Sequence, residues 1–71
     1  MAAADLDRYP DLTHEWERID GTAGYQLRLW ITLDGERLMT NRMFAAGYDE
    51  AAARDELAET ALLWRRRASR S

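Results

Sequence analysis

Apolar residues recur at every second position in one stretch of this chain: Tyr25, Leu27, Leu29, Ile31 and Leu33. That is the period of a strand with one buried face. Asp34-Gly35 follows at once, the strongest short-range signal for a two-residue hairpin turn, and predicts Glu36 to Phe44 as the return strand. A loop of that length fixes the register. Leu33 then pairs with Glu36, Ile31 with Leu38, Leu29 with Thr40, Leu27 with Arg42 and Tyr25 with Phe44, and this face looks inward. The opposite face carries Gln26, Arg28, Trp30 and Thr32, set against Met43, Asn41, Met39 and Arg37.

On either side of the hairpin the pattern changes. Thr13 to Ile19 alternates weakly and predicts a short edge strand, closed by the turn-rich Asp20-Gly21-Thr22-Ala23-Gly24. Residues 1–11 read as a lead-in, either a frayed tail or one helical turn ended by Pro10. After Gly47 the period becomes helical. Ala53, Leu57, Ala61 and Trp64 share one face, with Asp55, Glu56 and Glu59 on the opposite one. Asp49 and Glu50 suit the positive end of the helix dipole, and Arg65, Arg66 and Arg67 suit the negative end. The prediction is one α+β domain over residues 1–71, a three-stranded antiparallel sheet packed on one C-terminal helix.

In this register Trp30 stands across from Met39, with Met43 further along the same strand. An apolar trio flanked by Arg28 and Arg37, on the face the helix does not cover, has the makeup of a protein-binding hot spot. The competing expectation is structural: the Thr13–Ile19 strand, a bulge or Trp16 covers these residues.

Composition narrows the chemistry. The chain has 71 residues, 46% of them hydrophobic and 32% charged, so it is globular with a small core. It has no cysteine, so disulfides and thiolate metal sites are excluded. A formal charge of −3 is not the usual footprint of a nucleic-acid binder. All ten basic residues are arginine, which with abundant alanine fits GC-rich coding and a bacterial or phage origin. Neither a basic start with an apolar run nor a membrane-length apolar stretch is present, which gives a cytoplasmic expectation.

Catalytic machinery is equally thin. Nucleophilic catalysis needs an activated Ser, Cys, Thr or Lys beside a base, yet Cys and Lys are absent and the serines are Ser69 and Ser71. The glycines fall singly at turns, so no phosphate-cradling loop forms. His14 is the lone histidine; with Glu15 and Glu17 it is a conceivable metal site, but a surface strand position is the simpler reading. Asp55 and Glu59 are helix neighbours on a solvated face. The expectation is therefore no enzyme, no cofactor and no metal. The arginine cluster Arg65, Arg66, Arg67 and Arg70 reads first as helix-end charge and second as a contact for phosphate or an acidic surface.

The order of features resembles the arm-type DNA-binding domain of phage and transposon tyrosine integrases. Asp20-Gly21, a strand from Tyr25, Asp34-Gly35-Glu36-Arg37, a return strand ending at Phe44 and Glu50-Ala51 opening a helix carry the likeness over Trp16 to Trp64. It implies a three-stranded sheet backed by one helix, whose open face enters the DNA major groove. The matching open-face positions are Arg28, Trp30, Arg37, Met39 and Asn41. This chain departs from the family in its acidic balance, its Trp and Met on that face and its altered helix start, Gly47-Tyr48-Asp49-Glu50-Ala51. These 71 residues hold no integrase catalytic domain. In size and charge the chain is also similar to small phage anti-CRISPR inhibitors.

These features lead to a non-enzymatic protein-binding module, an inhibitor or adaptor using the open sheet face. Trp30, Met39 and Met43 would anchor it, with Arg28 and Arg37 at the rim, on a protein partner or nucleoprotein complex. The alternative is DNA binding by Arg28, Arg37, Asn41 and Arg65 to Arg67. A homodimer through an edge strand or the apolar patch is a third arrangement.

Overall fold

The computed structural model describes residues 6–70, with side chains over residues 6–68. Its order is a 3-10 turn (Leu6–Arg8), β1 (Leu12–Asp20), β2 (Gly24–Leu33), β3 (Glu36–Ala45) and α1 (Glu50–Arg70). The three strands form one antiparallel sheet in chain order, and the helix packs on β2 and β3. The expected α+β fold is therefore present. Of the expected lead-in, residues 6–8 form the single turn, and residues 1–5 lie outside the described residues.

The hairpin register is the one its turn dictates. Leu33 pairs with Glu36, and the ladder runs in step to Tyr25 with Phe44 and Gly24 with Ala45. Asp34 and Gly35 take φ of 53° and 79°, the left-handed pair that a two-residue turn of matching twist requires. At the other end of β2, Gly24 is a site of close approach. A Cβ there would lie 2.0 Å from the carbonyl oxygen of Phe44.

The core is the alternating face of β2, with Leu27, Leu29 and Ile31 essentially without solvent contact, closed by Ala53, Leu57, Ala58 and Ala61 of α1. Alanines at the contact let the helix sit low on the sheet. Leu6, Leu12 and Leu33 seal one end. Tyr25, Phe44 and Tyr48 stack at the other, and the Tyr25 hydroxyl donates to the Tyr48 carbonyl at 2.9 Å. Among the described residues no polar or charged residue is buried.

The helix begins at Glu50, two residues later than the Tyr48 start that its sequence suggests. Asp49 is the cap. Its carboxylate accepts from the Ala52 amide at 3.0 Å, satisfying a donor that the first turn leaves open. Glu56 also departs from expectation. It does not stand on the far face but reaches back from the flank of α1 to accept from Arg42 of β3 at 2.8 Å and from the Tyr48 hydroxyl. The cause is its place beside Ala53 and Leu57, at the border of the buried stripe.

Arginine–aromatic stacks clip the helix-side rim. Arg18 lies 4.2 Å over Tyr25, Arg54 lies 5.1 Å from Trp16, and Arg65 lies 4.3 Å over Tyr9. Arg18 also pairs with Glu50, and Arg65 holds Asp11 with both Nε and Nη2 at 3.0–3.2 Å. These guanidinium hydrogen bonds hold the Asp11 and Glu50 carboxyls below their ordinary values. Burial raises the Tyr25 phenol, and the bond to Glu56 raises that of Tyr48.

Candidate functional site

One side of the sheet is covered by α1; among the described residues nothing covers the other. Strand alternation sorts the side chains between them. Because Leu12 pairs with Leu33 and Thr13 with Thr32, β1 turns Leu12, His14, Trp16 and Arg18 toward the helix side. It sends Thr13, Glu15, Glu17 and Ile19 to the open side. The strand therefore extends the open face instead of covering it, and it runs one residue further at each end than Thr13–Ile19. Trp16 does not pack on that face at all. It meets His14 edge-on at 6.4 Å on the other side.

The open face is a grid of four cross-strand rows set by the two registers. Thr13, Thr32 and Arg37 form one end row, followed by Glu15, Trp30 and Met39. Glu17, Arg28 and Asn41 come next, and Ile19, Gln26 and Met43 form the far end. Trp30 and Met39 adjoin as expected. Met43 is separated from them by the Arg28–Asn41 row, so the three do not form one contiguous patch. Met43 finds its apolar neighbour in Ile19, and these two are the most exposed large hydrophobics of the face, at 71% and 40%.

Exposure corrects two further expectations. Trp30 is half-buried, because the guanidinium of Arg37 lies 4.5 Å over its ring. Met39 is the more accessible of the pair. Arg28 is not a rim residue. It sits on the central strand, 3.4 Å from Glu17, with its Nε buried and without a hydrogen-bond partner. Beside it Gln26 donates to Asn41 at 3.2 Å, and Asn41 donates to the Met39 sulfur at 3.3 Å.

The charges on this face balance: Glu15 and Glu17 stand on β1, Arg28 on β2 and Arg37 on β3. The Arg65–Arg67 cluster does not join them, since α1 lies behind the sheet. Arg65 is committed to Asp11 and Tyr9, while Arg66 and Arg67 are exposed on the helix. The side chain of Arg70 lies outside the described residues.

His14 faces the helix side of β1, whereas Glu15 and Glu17, one and three residues further on, face the open side. His14 Nε2 instead faces the Asp7 carboxylate at 3.9 Å. Among the described residues no three His, Asp or Glu side chains gather as metal ligands. No helix there is long and apolar enough to cross a membrane.

Sequence reasoning missed Ile19, Glu15 and Glu17 as members of the face. The alternation of Leu12, His14 and Trp16 was the available signal, and Leu12 was its key residue. Comparison of the chain with protein-family models, with curated proteins and with solved structures finds no match in any of the three.

Proposed function

We propose that this chain is a non-enzymatic protein-binding module, a small inhibitor or adaptor, that engages a protein partner through the open face of its sheet. The observation that supports this reading is a complete three-stranded face, opposite the helix, presenting Trp30, Met39, Met43 and Ile19 among polar neighbours. Aromatic, methionine and arginine side chains are the types enriched at interface centres. DNA binding through the same face has less support, because Glu15 and Glu17 offset Arg28 and Arg37 and the helix arginines stand behind the sheet.

Two measurements test the reading. Immobilised wild-type protein is compared with Trp30→Ala and Met39→Ala for retention of partners from an extract of the producing organism, with Leu63→Ala on the outer helix as control. Anchors of an interface cost more than about 2 kcal/mol on truncation, roughly 30-fold in affinity. Retention should therefore collapse for the first two variants and persist for the third. Equal retention by all would overturn the assignment of the face. Anisotropy of labelled duplex DNA at low and physiological salt should show no salt-sensitive binding. Affinity that falls steeply with salt would transfer the face to DNA.

A further inference from the structure

We infer that the open face is self-complementary, and that its occupant is a second copy of this chain packed face to face about a two-fold axis parallel to the strands. The inference rests on the reading of this face as a protein interface and names the partner. Two sheets packed face to face keep their strands aligned to within about 30°. For an isologous pair of that kind, the two-fold axis runs either along the strands or across them.

The charge columns choose between these. Glu15 and Glu17 stand together on β1, while β3 carries Arg37, Met39, Asn41 and Met43 and no carboxylate. An axis across the strands lays β1 on β1 and sets four carboxylates against one another, a juxtaposition that interfaces reject. An axis along the strands lays β1 of each copy on β3 of the other. Glu15 and Glu17 then face the column that holds the second copy's Arg37 and Asn41. Ile19, 40% exposed, meets the second copy's Met43, 71% exposed. Trp30 lies at the axis against its own equivalent.

Arg28 supplies a separate indication. A guanidinium carries five donors; this one has a single long contact to Glu17 at 3.4 Å and a buried Nε without a partner. In the arrangement along the strands, the two copies' Arg28 side chains meet at the axis, and the Glu17 of each copy flanks them from opposite sides, so that each guanidinium gains the second copy's carboxylate as an acceptor and the four charges balance.

From strand spacing and rise, the face spans roughly 14 by 20 Å, about 280 Å² per copy, well under the roughly 800 Å² per partner of a standard interface, so the dimer is a weak, transient one. The dimer should therefore form and dissociate within an accessible concentration range. Sedimentation of the full chain from about 1 µM to about 1 mM covers that range. Wild type should shift from monomer to dimer. Glu15→Arg and Arg37→Glu should each weaken the dimer by tenfold or more, about the effect of placing like charges together. The double variant E15R/R37E exchanges the charges and should recover wild-type dimerisation to within about threefold, a coupling that independent sites would not show. Circular dichroism confirms that each variant is folded.

Monomer at every concentration overturns the inference, as does a dimer indifferent to Glu15→Arg or not restored by the double variant. If the chain is monomeric while Trp30→Ala still loses its retained partner, the protein-binding reading stands with another occupant. If neither dimerisation nor retention responds to open-face substitutions, both readings fall.

Discussion

A methyl group at position 24 would collide with backbone, since its Cβ would stand 2.0 Å from the Phe44 carbonyl oxygen. At Gly47 nothing lies within 4 Å of such an atom. Gly24→Ala must therefore prise β2 from β3 at the end of their ladder, whereas Gly47→Ala meets open space. Unfolding free energies from denaturant titration should fall for the first by about 1–3 kcal/mol, the usual cost of forcing atoms into a closed contact. For the second they should move by less than about 0.5 kcal/mol. Equal effects would mean that the strand end frays and the contact is not tight. In the sequence these two residues look alike, each a glycine at a turn, because steric crowding across a ladder leaves no local pattern. The Asp34-Gly35 turn was legible for the opposite reason: both residues that must take positive φ lie side by side in the chain.

Among the elements, the β2–β3 hairpin could be read to the residue pair, and β1 could not. A two-residue loop permits one register, but the Asp20–Gly24 turn is longer and allows several. That ambiguity concealed which side Trp16 faces and put Glu15 and Glu17 out of sight. The helix was legible on its buried stripe, Ala53, Leu57 and Ala61, and less so at its border, where Glu56 turns toward Arg42. Ion pairs that tie distant elements, such as Asp11 with Arg65, have no sequence signature at all. They do have a pH signature. The depressed Asp11 carboxyl contributes stability above its ordinary pKa that is lost as pH falls through its lower folded value. Removing it with Asp11→Asn should lower the melting temperature near pH 7, and the gap from wild type should narrow as pH falls below the ordinary carboxylate range. Glu50 titrates in the same direction, so wild type itself should lose stability over that range. A gap that stays constant with pH would show that the carboxylate's charge is not what matters.

For the whole molecule, topology was legible because each step is local: a turn, a hairpin, one helix folded back. The uncovered face was legible as an inference from the helix count, since one helix covers one side of one sheet. The proportions of the face were not, because they depend on how far β1 extends it. The Asp11–Arg65 clasp has a bearing on assembly too. It gathers the lead-in to β1 and the last turns of α1 at one pole, beside the Asp34-Gly35 turn, where Trp64 and Arg67 line a hollow with Leu33 and Leu38. A cargo domain joined after the helix should therefore leave the dimerisation constant within about threefold of wild type by sedimentation, as expected for distant, independent sites. An obstructed dimer would place the helix end nearer the face than this geometry allows. A rotation about an axis parallel to the strands preserves their direction, so both copies would present their clasped poles to the same side. Two cargoes would then hang in parallel from one platform, and a single tether from one helix end to the neighbouring lead-in could join the pair into one polypeptide.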